Sequence, residues 1–356
     1  MVEVKEKVHL KDVVSKIGLP TIIIGAFWII LLITGGSLGI SMNTLLSDTI
    51  KRAGMNGILV LAMVPSIQSG TGPNFALPIG IECGLFAMVI SIEFGAEGFG
   101  WVAMSIGLAI VFAVISGYLY GKLLNAVKGS EMTIATYTGF SISAFMCLAW
   151  LMIPFSSPKM GWFMGKGLRE TIQLDALGAD KILSELWQFN IGGEEGIIIP
   201  TGMLLIFFLC CLVVWLYFRS KSGIAISAGG INPRFAQASG ININRNRIKA
   251  NILSTVLGAI GIIVYSQGYG YAQLYNAPLM MAFPAVAAVL IGGASASRAK
   301  VSHVIIGTII FQGLLTTALP VANKLFAGTD LSEILRMVIQ NGIILYALTQ
   351  VKGGDK

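Results

Sequence analysis

Residues Gly229–Lys249 read GGINPRFAQASGININRNRIK: four positive charges, no negative one, and a long apolar run on either side. Asn232 suits an N-cap. Pro233 suits the first helical position, where a missing N–H removes no helical bond, and Gly240 suits the left-handed residue past the end. Between them RFAQAS leaves room for one to two turns. A helix that short persists only where its surroundings hold it. Two readings fit the pattern: a rigid knob offered to another protein, or a basic loop with a helical turn in it.

The flanks set the class. Hydrophobic residues make up 55% of the 356, charged residues only 12%, and there are 43 glycines. A soluble domain of this length cannot hide so much apolar surface, whereas membrane helices tolerate glycine and use it to pack closely. The expected fold class is an all-α polytopic membrane protein. About ten spans fit the requirement of roughly 20 apolar residues each: 19–37, 54–69, 75–93, 98–120, 132–154, 197–218, 249–267, 278–293, 301–319 and 333–350. Lys5, Lys7, Lys11 and Lys16 lie in a segment without a signal-peptide apolar core, and Leu10, Val13, Val14 and Ile17 mark one face of an interfacial helix.

Lysine and arginine orient the spans. With the N-terminus cytoplasmic, sixteen of them fall inside and seven outside, which obeys the positive-inside rule and puts both termini in the cytoplasm. The net charge of +7 is then mostly a topology signal, and nucleic acid drops out as a partner. The chain divides into a cytoplasmic amphipathic segment 1–18, one transmembrane domain 19–350 and a cytoplasmic tail 351–356. Within the domain, 155–196 is an external loop and 219–248 the cytoplasmic coupling segment. In the loop, Leu174, Leu177, Leu183, Leu186 and Trp187 suit a helix lying on the membrane surface. Cys83, Cys147, Cys210 and Cys211 all sit in apolar runs without CxxC spacing, and His9 and His303 are far apart, so neither disulfide nor metal site is expected.

The segment AGGINPRFAQASGININRNRIK resembles the coupling segment of ribose-type ATP-binding cassette (ABC) importer permeases, relatives of the branched-chain amino-acid permeases. The matching positions are Gly229, Gly230, Asn232, Ala236, Ala238, Ser239, Gly240, Ile241 and Asn242. MNTLLSDTIKRAGMNGILVLAMVPSIQSG, VKGSEMTIATYTGF and AAVLIGGASASRAKVSHVIIGTIIFQGLL are similar to three further pieces of that family, in the same order. The resemblance implies a type II (vitamin-B12-importer-like) architecture and an ATPase-coupling role for Asn232, Pro233, Arg234, Phe235, Ala236, Gln237, Ala238, Ser239 and Gly240. It also implies two cassette ATPase subunits, a second permease, an external solute-binding protein, and residence in the bacterial inner membrane among its lipids. SGTGPNFALP lacks the acid usual after Ser-Gly-Gly, and GGASASRAKV lacks the later glycines of the usual turn. The fold expectation survives these departures and a ribose cargo does not.

The chain has no phosphate-cradling loop of its own. GYLYGKLL, Gly117–Leu124, has its glycines one residue too close and no Ser or Thr after Lys122, so helix packing explains it. The chain is expected to be no enzyme and to bind no cofactor, with ATP and magnesium held by the partner ATPase.

Polar side chains within hydrocarbon face a cavity or another helix. Gln68, Ser69, Thr71 and Asn74 cluster at a break between two spans, with Glu82 a little further on. A broken helix is tolerated only where it is protein-buried or lines water. The segment 68–82 is therefore either solute path or an ordinary turn with Glu82 bonded to a neighbouring helix. Gln267 and Asn276 mark a second break, and Gln312 is a further candidate lining residue. Few charges among amides and hydroxyls suit a small hydrophilic solute, a monosaccharide first and a nucleoside or small signal molecule second. A proton-coupled secondary transporter with Glu82 as carrier is the alternative from another class.

Overall fold

The computed structural model describes residues 18–161, 167–192, 196–325 and 331–349; the proposed N-terminal interfacial helix, His9 and the tail 351–356 lie outside them. Among the described residues the long helices are α1 (Leu19–Ser37), α2 (Met42–Leu61) continued by the short α3 (Met63–Gln68), α4 (Leu77–Glu93), α5 (Gly98–Ala126) and α6 (Glu131–Met152). A second set follows: α8 (Thr201–Arg219), α11 (Ile243–Tyr269), α12 (Ala277–Ile291), α13 (Val301–Leu325) and α14 (Leu331–Thr349). Among the described residues, seven helical stretches, counting α2 with α3 as one, are long and apolar enough to cross a membrane. The chain is thus a multi-pass membrane protein.

Two span starts move from their expected places because caps outrank hydropathy, and a third because a strand precedes the helix. Ser41 accepts from Thr44 N and starts α2 at Met42 instead of residue 54, which carries Lys51 and Arg52 into the helix. Asn242 accepts from Arg245 N at 3.0 Å and starts α11 at Ile243, so Arg245, Arg247 and Lys249 become its first turns. Before α8, residues Ile197–Ile199 form strand β3, paired antiparallel with β2 (Phe189–Ile191).

Among the described residues of 155–196, the expected surface helix is absent. A single 3₁₀ turn, Asp175–Leu177, ends at Gly178 with φ +55°, and a one-turn helix α7 (Ile182–Glu185) follows Lys181, itself left-handed. The leucines meant for the membrane surface turn inward: Leu174, Leu177 and Leu183 are buried in the main core, while Trp187 stays exposed. Strand β1 (Thr171–Gln173) pairs with β4 (Tyr271–Gln273), so the loop is stitched to the helix ends beneath it. Glu93 accepts from Ser156 N and Ser157 N, and Lys159 pairs with Glu97 at 2.9 Å, holding that exposed carboxyl below its ordinary pKa.

Helix α11 is the axis of the bundle, packed against α2, α4 and α5. Glycine makes the approach possible. A Cβ on Gly117 or Gly121 of α5 would stand 2.9 Å from the Cα of Ile252 or Ile248, and one on Gly80 or Gly84 of α4 would stand 2.5 Å from a carbonyl of α11. The GYLYGKLL glycines are therefore packing residues, as read from the sequence.

Candidate functional site

The segment 220–242 hangs between α8 and α11. Helix α8 ends at Arg219, whose guanidinium stacks 3.7 Å from the Trp215 ring centroid. Ser220 caps α9 (Lys221–Ile231) by accepting from Gly223 N. Then Asn232 accepts from Phe235 N at 3.1 Å, Pro233 takes the first turn, and α10 (Pro233–Ala238) runs to Gly240, φ +79°. The cap assignments made from sequence hold at both ends. Ala236 is fully buried and roots the helix, while Arg234, Phe235, Gln237, Ala238 and Ser239 are exposed. The exposed Phe235 beside Arg234, on a helix rooted by Ala236, suits a protein contact.

Helix α9 touches the break after α3 directly. A Cβ on Gly230 would lie 2.2 Å from the Gln68 carbonyl oxygen, and one on Gly70 would lie 2.9 Å from the Gly230 Cα. Only glycine at both positions permits this, and Gly70 also needs its φ of +75°. Arg247, from the first turns of α11, donates to Glu131 at 2.9 Å and to the Gly70 carbonyl at 3.4 Å. The Gln68 amide donates to the Ala299 carbonyl in the turn before α13. Lys249 donates to Ser222 Oγ at 3.3 Å, tying α11 back to α9. One end of the bundle, rich in Lys and Arg, therefore joins α3, α6, α9, α11 and the late turn.

The seven path candidates do not converge. Ser69 is consumed by the break itself, its hydroxyl reaching Ser66 O and Thr71 Oγ1. Asn74 spans to Ser254 Oγ at 2.8 Å and accepts from Tyr120 and Ala76 N, so it fastens α4 to α5 and α11. Gln267 sits at the opposite end, where its amide donates to Ala179 O and its carbonyl oxygen accepts from Leu183 N, while Asn276 donates to Glu170 at 2.7 Å. These two anchor the loop. Gln312 is buried on α13.

Glu82 stands apart. It is 3% exposed, both carboxyl oxygens lack a hydrogen-bond partner, and it lines a cavity of about 690 Å³ between α4, α5 and α6. Phe86, Phe112, Phe145, Met146 and Ile142 supply much of the wall, with Cys83 and Ser116 as its small polar members. What the sequence did not reveal is the Arg247–Glu131 pair. Arg247 reads as a topology charge, and nothing in the chain order links it to an acid 116 positions earlier.

Residues 45–348 match the family model described as branched-chain amino acid transport system / permease component. The chain belongs to that family. Among relatives of this permease, the galactofuranose transporter permease protein of Escherichia coli is 26% identical over 328 residues, which is 85% of this chain and 94% of that protein. The nucleoside ABC transporter permease protein of Lactococcus lactis is 23% identical over 194 residues, 53% of this chain and 50% of that protein. A solved metal-chelate type ABC transporter in an inward-facing conformation aligns over 92% of this permease and 99% of its own chain, at 14% identity and a TM-score of 0.44, too loose to refine the fold. The permease is a membrane subunit of the ABC importer class.

Proposed function

We propose that the permease works as one of a pair of membrane subunits, identical or homologous, with about ten spans in the type II arrangement and its basic end in the bacterial cytoplasm. Two cassette ATPase subunits, carrying ATP and magnesium, grip α10 of each copy. A binding protein on the other side delivers a small hydroxylated solute of the sugar class, in keeping with the galactofuranose permease among its relatives. The observation that carries the reading is the construction of α10: an exposed Arg234–Phe235 tip, a buried Ala236 root, and a stalk whose Gly230 rests on the broken helix at Gln68. Movement of the tip reaches the break through backbone contact.

The test is Arg234→Ala together with Phe235→Ala in the assembled transporter. Uptake should fall at least tenfold while ATP hydrolysis persists and the permease stays inserted. Unaltered uptake would remove the coupling role. The orphaned carboxyl of Glu82 favours one other reading, a proton-coupled carrier. Disabling the catalytic acid of the ATPase separates the two, since a carrier would continue to import down a proton gradient.

A further inference from the structure

The cavity at Glu82 is walled by one stripe of each of three helices. Helix α4 contributes Glu82 and, one turn on, Phe86; α5 contributes Phe112 and Ser116, and α6 contributes Phe145. Residues four apart share a helix face, so Phe86 stands on the same side of α4 as the carboxyl. Apart from Glu82, Ser116 and Cys83, every side chain in the wall is aliphatic, aromatic or a thioether.

The polar groups of this wall select a ligand by count. Both Glu82 oxygens lack a partner among the described residues, in a residue that is 3% exposed. Ser116 Oγ accepts from the Cys83 thiol at 3.4 Å, and a hydroxyl oxygen has a second lone pair to offer. An ammonium group brings three N–H donors, no acceptor and the charge that a buried carboxylate needs. Two of its donors go to Glu82 and the third to Ser116. A solute with hydroxyls or carbonyls spread over its body leaves most of them unpaired here, and an anion meets the wrong charge. A plain hydrocarbon leaves the carboxyl uncompensated. The rings of Phe86 and Phe112, 5.2 Å apart, add aromatic faces to which a cation is drawn. The volume falls among those of small-molecule sites.

The mouth shows the route. Ile115, Phe145, Leu148 and Met152 border it, and all four are exposed and apolar. On a membrane bundle such a border meets hydrocarbon, where an amine with an apolar body concentrates. We infer that this cavity binds a lipophilic primary amine taken from the bilayer: its ammonium on Glu82 and Ser116, its apolar body against Phe86, Phe112 and Phe145. The site goes beyond the importer role and needs neither ATP nor the transported solute, since one chain supplies every wall.

The experiment measures equilibrium binding of radiolabelled amantadine (adamantylamine), adamantanol and adamantane carboxylate to the assembled transporter in lipid nanodiscs without ATP. Empty nanodiscs give the lipid background. The three share one rigid apolar cage and differ in the polar group. Amantadine should bind saturably, adamantanol about tenfold more weakly, the size of one lost hydrogen bond to a charged group, and the carboxylate not at all. In Glu82→Gln, amantadine should weaken to the level of adamantanol. Ala149→Phe puts a ring into the cavity from α6 and should weaken both. The comparison of the three ligands on the unmutated protein needs no variant to fold. Adamantanol binding as tightly as amantadine, or an amine preference that survives Glu82→Gln, would overturn the assignment. So would absence of saturable binding, which would mean that a second permease covers the mouth. Because binding is read without ATP, failure of the site and failure of the importer role are separate results.

Discussion

Arg247 shows how much one side chain holds at the basic end. Its two terminal nitrogens reach Glu131, at the start of α6, and the carbonyl of Gly70, while its own helix carries Lys249 to Ser222. Both members of the ion pair are mostly buried, at 12% and 15% side-chain exposure, so the pair sits between the surface and interior cases. Removing one member of a buried pair strands the other charge, whereas a surface pair contributes little. Glu131→Gln should therefore destabilise the permease by about 1–3 kcal/mol, seen as a lower melting midpoint in detergent. The exchange Glu131→Arg with Arg247→Glu should recover part of that loss. Additive damage from the exchange would show that the two residues act separately. Sequence reading grouped Arg247 with the other basic residues around α10 and missed its partner, because a charge count carries no information about which helices meet.

At the scale of elements, the short helix α10 was legible and the seat of the stalk that carries it was not. Asn232, Pro233 and Gly240 specify α10 by local chemistry alone, each acting within a few residues of itself. Gly230 matters for a different reason, since the backbone it admits belongs to residues 68–70, more than 150 positions away. The polar breaks divide in the same manner. Composition marks Gln68–Asn74 and Gln267–Asn276 as departures from helix, yet the hydrogen bonds of Ser69, Asn74, Gln267 and Asn276 serve turns and anchors. Glu82 has no such employment, both its carboxyl oxygens being without a partner among the described residues. The loop 155–196 was misread because leucine spacing looks alike on a surface helix and on turns that bury the same leucines. From the seat of α9 follows an element-scale prediction. Gly230→Ala puts a methyl group 2.2 Å from the Gln68 carbonyl oxygen, so α9 must lift off the break. Overpacking of this kind costs about 1–3 kcal/mol. Insertion should survive, and uptake should fall with hydrolysis retained, as for the Arg234–Phe235 variant. Wild-type uptake would mean that α9 does not bear on the break.

For the whole molecule, the long axis has two chemically distinct ends. One gathers the α9–α10 stalk and the Arg247 pair; the other carries the stitched loop with its β1–β4 and β2–β3 pairs. Long helices connect them, and the function proposed above puts the first, basic end in the cytoplasm. The two ends offer exposed aromatic positions suited to a direct check: Phe235 on α10 and Trp187 beside α7. The four native cysteines lie in apolar helices, two of them buried, and can be replaced by alanine to clear the background. On that background Trp187→Cys should react with a membrane-impermeant maleimide in intact cells, and Phe235→Cys should react only in inverted vesicles. Inclusion of the assembled ATPase should then protect position 235 and leave position 187 unchanged, because the grip is confined to one end. Labelling of Phe235→Cys in intact cells would invert the topology, and with it the assignment of α10 to the ATPase side.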